Sequence, residues 1–466
     1  MAYKQSDPAL KLKVDLKPFE EGLEDWDVSP EPDNSTGKVA SFLQNTGLLE
    51  TLQSTVFNVS KVFNYNKKQV EDNTSRERRP LTDAEFREYL DSVGNLTRDT
   101  EFRMHVYQNG VEHSLRKVVW KHLLNVFPRE FNGKKRFDYL TKKKEEYSKI
   151  RDEWKRLLDS DNCSENVKLV ANMVRKDTLR TDRGHPLFSD DSSENVIRLF
   201  NLLVTYALTH PSLSYCQGMS DLASPLLLVL EDEAHAYICF CSLMRRLSQN
   251  FDLKGLVLNK KFEHLQLLLR RKDPEFFSYL KYQNADDLLF CYRWVLLELK
   301  REFPLDNVLT LLEVMWASIP PDYPNMMLGI RLSDLDYEKS SLYMKQANIK
   351  KNVLNTAYKK LKRKKLECQD IDGCRSMVED VKAEEVVPKL PAPDEFGCEN
   401  PFLLFLCLAL LLQQKDVIIK KRMDYNEIAM HYDKFIRSND VDSVLERARL
   451  EYSAYLREQQ NGSKKV

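Results

Sequence analysis

The chain has 466 residues, long enough for two or three domains or for one large helical domain. Its 71 basic and 71 acidic residues give a formal net charge of zero. The overall charge therefore does not favour binding to nucleic acid or to an anionic membrane. Glycine is scarce, at 13 residues, which favours helix over sheet, and nine scattered cysteines without paired CxxC spacing are typical of reduced thiols in a cytoplasmic protein.

Residues 1–80 differ in character from the rest of the chain. Alternating apolar and charged residues at 10–16 predict one strand, which ends at Pro18. The following residues, 25–37, are acidic and rich in proline and serine. A single strand cannot bury a core, so we predict a flexible lead-in, the remnant of a domain whose start is absent. Residues 1–10 have no apolar signal core, and no secretion is expected.

A helical body is predicted for residues 81–321. Thr82 and Glu85 have the spacing of a capping box that opens the first helix. Glu231, Asp232 and Glu233 stand near His235, and their simplest role is to open a helix rather than to bind a metal. Apolar residues at helical spacing predict further helices at 115–126, 134–158, 194–208, 222–230, 234–247, 265–269, 288–303 and 305–319.

The C-terminal part is predicted to be an insertion followed by further helices of the same body. Residues 322–393 hold few apolar runs, three late prolines and a basic cluster at 359–365, which is typical of a loosely packed, partly disordered insertion with a solvated helix face. Residues 394–455 are predicted to complete the body, and 456–466 to form a tail. The apolar run 402–412 has 11 residues, whereas a membrane span needs roughly 20, so it predicts a buried helix and no transmembrane segment.

Two stretches carry candidate chemistry. Arg180 follows Asp177 by three residues, so the carboxylate can orient the guanidinium, and Gln217 lies beside Gly218 just past a helix-breaking proline. Cys216 is an alternative, a nucleophile with His185 or His210 as its base. From spacing alone the favoured interpretation is structural: Arg180 pairs with Asp177, and Gln217 caps a turn. Neither GxxxxGK[ST] nor GxGxxG nor HExxH occurs, so we expect no nucleotide, cofactor or metal held by this chain.

Together these stretches resemble the TBC domain, the GTPase-activating domain for Rab proteins. Its IxxDxxR and YxQGM motifs correspond to Val174-x-x-Asp177-x-x-Arg180 and Tyr215-x-Gln217-Gly218-Met219, and blocks at 115–124 and 291–303 also match. The resemblance implies an all-α fold and a Rab GTPase as partner. It implies that Arg180 is an arginine finger and Gln217 a glutamine finger, with Asp177 and Tyr215 supporting them. GTP and Mg²⁺ would belong to the Rab.

Residues 180–183, 214–225 and 424–431 resemble most closely an autophagosome-linked part of this family, whose members carry a ubiquitin-like domain of the Phox-and-Bem type ahead of the catalytic domain. The predicted strand at 10–16 is similar to the last strand of that domain. The acidic stretch around Trp26 resembles a motif that docks on ubiquitin-like autophagy modifiers, although Ser29 stands where such motifs have an aliphatic residue. The expectation is a cytoplasmic protein recruited to autophagosomes or other vesicles. The alternative is a helical adaptor that binds a Rab or an autophagy modifier without catalysis.

Overall fold

The computed structural model describes residues 79–160, 163–252, 254–326, 329–333 and 389–463. The predicted strand at 10–16, the motif around Trp26 and the basic cluster at 359–365 lie outside these residues. The described helices are α1 Asp83–Glu88, α2 Asp99–Asn109, α3 Arg116–Leu123, α4 Gly133–Leu158, α5 Glu165–Thr178, α6 Glu194–Thr209, α7 Met219–Leu230, α8 Glu233–Leu247, α9 Leu256–Lys272, α10 Pro274–Tyr282, α11 Tyr292–Leu296, α12 Leu305–Ala317, α13 Pro401–Gln413, α14 Lys415–Lys420, α15 Tyr425–Asp433 and α16 Val441–Ser463.

The all-α fold class is confirmed. Within the described ranges, extended pairing is limited to two isolated bridges, one between Leu81 and Val111 and one between Leu90 and Leu96. The predicted capping box at the start of α1 is present: the Glu85 amide donates to Thr82 Oγ1 at 3.3 Å, and the Thr82 amide donates to Glu85 Oε2 at 3.0 Å. Two amides at the start of the helix are thereby satisfied, which fixes where α1 begins.

The apolar segment at 402–412 forms the buried helix α13, as predicted. Each residue from Pro401 to Leu411 is buried. Helix α16 packs along it, and the rings of Phe402 and Phe405 meet those of Tyr452 and Tyr455 at centroid distances of 5.2–5.5 Å. Burial of such side chains is the main force that holds the C-terminal helices to the body. None of the helices in the described part of the chain is long and apolar enough to cross a membrane.

One helix prediction is wrong over much of its length. The pattern at 288–303 predicted a continuous helix, but α11 ends at Leu296, and Glu298 and Leu299 adopt left-handed backbone conformations with φ of 49° and 62°. Glu298 is fully buried and accepts hydrogen bonds from Trp316 Nε1 at 2.9 Å and from Arg246 at 2.6 Å. These tertiary bonds outweigh the local helix propensity. Segment 297–301, which follows the end of α11, then contacts the candidate site: Leu297 lies against Gly218, and Lys300 bonds to Asp182 and Asp221.

Three helices position the candidate site. Helix α6 packs against both α5 and α7. Helix α5 carries Asp177 in its last turn, and α7 begins at Met219, directly after Gln217 and Gly218. The residues that follow α5 and those that precede α7 therefore belong to two loops held by the same helical layer. We call residues 177–184, which include the end of α5, the arginine loop, and residues 213–221, which include the start of α7, the glutamine loop.

Candidate functional site

Arg180 lies just past the C-terminus of α5 and is oriented by Asp177. Its Nε and Nη2 atoms both donate to Asp177 Oδ1, at 3.0 and 2.6 Å. The Asp177 side chain is 10% exposed, whereas that of Arg180 is 57% exposed. A buried carboxylate thus fixes the base of the guanidinium while the remainder faces solvent. The pairing predicted from the DxxR spacing is confirmed.

The second oxygen of the same carboxylate reaches the glutamine loop. Tyr215 donates its hydroxyl proton to Asp177 Oδ2 at 2.6 Å. Burial raises the pKa of Tyr215 well above its ordinary value, and the negative charge of Asp177 raises it further. The phenol therefore stays protonated and serves as a donor across the physiological range. Asp177 consequently holds Arg180 with one oxygen and the glutamine loop with the other.

Gln217 projects from a tight turn between two residues with positive φ. Ser214 has a φ of 55° and Gly218 one of 100°, and the Gln217 side chain is exposed. A Cβ atom at Gly218 would lie 2.8 Å from Leu297 Cδ2, too close for any side chain without a shift. The positive φ thus favours glycine at 218, and a Cβ there would also require the Leu297 side chain to move.

Further side-chain bonds tie the two loops together below the exposed residues. Thr181 Oγ1 and Ser220 Oγ are 2.8 Å apart, and Ser224 donates to Asp182 Oδ2 at 2.6 Å. With the Asp177–Tyr215 bond, these contacts join the last turn of α5 and the residues after it to the chain before and within α7 at three points. Such a connected set of hydrogen bonds fixes one relative placement of the loops.

A buried charged cluster beneath the loops was not predicted. Lys300 donates to both carboxylate oxygens of Asp182 at 2.6 Å and to Asp221 Oδ1 at 3.3 Å. Arg301 donates to Asp221 Oδ2 at 2.6 Å, and Arg437 donates to Asp182 Oδ1 at 3.1 Å. Burial by itself would raise the pKa of Asp221, but Lys300 and Arg301 together lower it below its ordinary value. No local spacing signals this cluster, since Lys300 lies 118 residues from Asp182 and 79 from Asp221.

The geometry around Cys216 is typical of a packed thiol. Its Sγ donates to the carbonyl of Leu213 at 3.8 Å, and its amide faces Met219 Sδ at 3.3 Å. The ring of His210 stacks on Tyr206 at a centroid distance of 4.2 Å. His185 Nδ1 accepts from the Leu187 amide. These bonds engage the histidine rings in local structure rather than presenting them as bases.

The acidic cluster before α8 has the predicted structural role. Asp232 caps the helix by accepting from the His235 amide at 2.9 Å. Across the part of the chain that the structure describes, there is no group of three or more His, Cys, Asp or Glu side chains arranged to hold a metal ion. The candidate site thus consists of Asp177, Arg180, Tyr215 and Gln217, two of them buried and two exposed.

Comparisons with known proteins agree on one family. Residues 113–343 match the family model of the Rab-GTPase-TBC domain. The chain is 34% identical to TBC1 domain family member 25 of Homo sapiens, over 97% of this chain and 81% of that protein. It is 32% identical to TBC1 domain family member 17 of Mus musculus, over 57% of this chain and 41% of that protein. Among solved structures, the Ypt/Rab-GAP domain of Gyp1p has the same fold, with a TM-score of 0.53 at 19% identity over 80% of this chain and 98% of that one.

Proposed function

Since the chain belongs to the Rab-GTPase-TBC domain family, we propose that it accelerates GTP hydrolysis by a Rab GTPase, with Arg180 and Gln217 as the two residues supplied in trans. The observation that carries this proposal is the shared carboxylate of Asp177. One oxygen orients Arg180 and the other holds Tyr215, two residues before Gln217. One buried carboxylate thereby orients the exposed Arg180 and holds the loop that carries the exposed Gln217. An ion pair with only a structural role would not need the second of these bonds.

Arg180 supplies positive charge that a slow GTPase lacks. In phosphoryl transfer, charge develops on the oxygens around the transferring phosphoryl group, and an arginine provided by a partner stabilises that charge by about 10³–10⁵ in rate. Because Asp177 fixes the Nε edge of the guanidinium beforehand, less side-chain entropy is lost on docking. The exposed part of Arg180 remains to contact the phosphate oxygens.

Gln217 supplies a group that both donates and accepts a hydrogen bond. Its amide oxygen can accept a hydrogen bond from the attacking water while its NH₂ group donates one to a γ-phosphate oxygen, which orients the water for in-line attack. The turn between Ser214 and Gly218 holds the side chain at the surface. In this proposal the nucleotide and its Mg²⁺ are bound by the Rab, and this chain contributes no cofactor.

The test is single-turnover GTP hydrolysis by a panel of Rab proteins. Arg180→Ala and Gln217→Ala are each expected to lower the accelerated rate by about 10²-fold or more while Rab binding persists. Arg87→Ala is a matched control, because Arg87 is also an exposed arginine paired with an aspartate a few residues before it, Asp83. Gln413→Ala is the control for the amide. Equal stimulation by all variants would exclude Arg180 and Gln217 as the catalytic residues. A Rab that binds the chain yet hydrolyses GTP at its intrinsic rate with wild type and every variant would establish the adaptor function instead.

We further propose recruitment to autophagosomal or other vesicle membranes through a ubiquitin-like autophagy modifier. The support is the acidic sequence around Trp26. Binding of purified modifier to the full chain is expected to be lost in Trp26→Ala and strengthened in Ser29→Leu, which restores the aliphatic position. Equal binding by all three chains would exclude docking through this motif.

A further inference from the structure

One buried ammonium group bonds to both loops of the candidate site. Lys300 is 3% exposed, and its Nζ reaches Asp182 and Asp221, which are 2% and 3% exposed. Asp182 lies two residues after Arg180 in the arginine loop, with a left-handed φ of 51°. Asp221 lies four residues after Gln217, in the first turn of α7. Each aspartate thus lies within four residues, along the chain, of one of the two exposed residues of the site.

The segment that carries Lys300 has a backbone suited to this contact. Left-handed conformations at Glu298 and Leu299 end the helical path and direct the chain below the loops. Leu297 of the same segment lies against Gly218, where an added Cβ would be 2.8 Å from its Cδ2. Segment 297–301 therefore contacts both loops through side chains of opposite character, one apolar and one charged.

Charge neutralisation alone does not account for Lys300. Asp221 also pairs with Arg301, and Asp182 also pairs with Arg437. Each of these arginines is partly exposed, at 40% and 43%, and bonds to one of the two aspartates. Among the described residues, Lys300 is the cation that bonds to both. Buried ion pairs are often neutral for stability after desolvation, and their best-attested role is to specify a single arrangement.

We propose that Lys300, with Asp182 and Asp221, is a positioning residue that sets the distance between Arg180 and Gln217. This inference rests on the proposed function for its catalytic consequence. Without the shared cation, each loop keeps its own arginine but loses the group held in common. A misplacement of about 1 Å between reacting groups costs on the order of 10²-fold in rate, whereas binding of the ground state depends on the wider surface.

The test uses Lys300→Met in the full chain. Methionine matches the length of the lysine stem, and both aspartates retain an arginine partner, so the variant is expected to fold. Glu313→Gln is the control, because Glu313 is also a buried charged side chain, and its bonds go to Arg116, Trp120 and the Val111 amide, outside both loops. Should Lys300→Met fail to fold, Asp221→Asn weakens the same bridge at one end only.

Two readouts separate positioning from general destabilisation. Hydrogen exchange of the backbone amides at 177–184 and 213–221 is expected to accelerate in Lys300→Met and not in the Glu313→Gln control. The maximal rate at which this chain stimulates GTP hydrolysis by the Rab is expected to fall by about 10- to 100-fold. The dissociation constant for GTP-loaded Rab is expected to stay within about threefold of wild type, as for loss of stabilisation that acts only in the transition state.

The outcomes are distinguishable from failure of the proposed function. If Lys300→Met and the control show the same amide exchange rates in both loops, the inference is overturned. An unchanged maximal rate of GTP hydrolysis by a Rab that wild type stimulates would also overturn it. Faster exchange in Lys300→Met, combined with a wild-type chain that stimulates none of the Rabs, would uphold the positioning role and remove the catalytic proposal.

Discussion

Asp177→Asn tests whether the buried carboxylate acts through Arg180. The substitution keeps the shape of the side chain and removes its charge. The asparagine oxygen can still accept from Arg180, while its amide can donate to the Tyr215 hydroxyl, so both loops keep a partner. What is lost is the charge assistance of the two bonds from Nε and Nη2.

The expected magnitude follows from those bonds. A hydrogen bond to a charged group contributes about 1.5–3 kcal/mol. Because the guanidinium stays charged after Asp177→Asn, the bond weakens toward the lower end of that range, by about 1–1.5 kcal/mol. That loss corresponds to about a tenfold lower rate of stimulated hydrolysis. The effect on the free energy of unfolding is expected to be smaller, because Arg180 is 57% exposed and solvent screens its side of the pair.

The assay is single-turnover GTP hydrolysis by a responsive Rab with Asp177→Asn, Arg180→Ala and the double variant. If Asp177 acts by orienting Arg180, its substitution has no further effect once the guanidinium is removed, and the double variant equals Arg180→Ala. A double variant that is again tenfold slower than Arg180→Ala would show that Asp177 contributes independently of Arg180.

Three further predictions concern the glutamine loop and the charged cluster. Tyr215→Phe leaves Asp177 Oδ2 without its donor and is expected to lower the free energy of unfolding by about 1–3 kcal/mol in urea titrations, and an unchanged midpoint would contradict this. Gly218→Ala places a Cβ 2.8 Å from Leu297 Cδ2 and should destabilise by about 1–3 kcal/mol, more than Gly255→Ala, where the nearest atom is 3.9 Å away. The lowered pKa of Asp221 contributes stability that is present above the ordinary aspartate pKa of about 3.9 and is lost as pH falls through the lower folded value. The difference in unfolding free energy between wild type and Lys300→Met should therefore narrow between pH 7 and pH 3, whereas a constant difference would show that Lys300 does not stabilise the ionised carboxylate.

The sequence predicts those parts of the fold that depend on local pattern. The capping box of α1, the buried helix α13 and the pairing of Asp177 with Arg180 all follow from spacings of a few residues. Apolar spacing is less reliable at helix surfaces: Val118 and Phe137 occupy periodic positions but are 45% and 71% exposed. A helix presents more apolar residues than its neighbours can cover, and the pattern alone does not reveal where the neighbours lie.

The charged cluster and the break after α11 could not be predicted in this way. Lys300 meets Asp182 across 118 residues, and no local rule links the two. Glu298 is a good helix former in isolation, yet its buried bonds to Arg246 and Trp316 hold it in a left-handed conformation. Both features depend on packing between distant segments, which only the three-dimensional structure provides.

The shared carboxylate of Asp177 also couples the effects of substitutions at three positions of this surface. Because its two oxygens serve different loops, a replacement at this position alters the surroundings of Arg180 and Tyr215 at once. A compensating change at either partner repairs only half of the loss. Substitutions at the three positions are therefore expected to be non-additive, so that the effect of a change at 177 depends on the residues at 180 and 215.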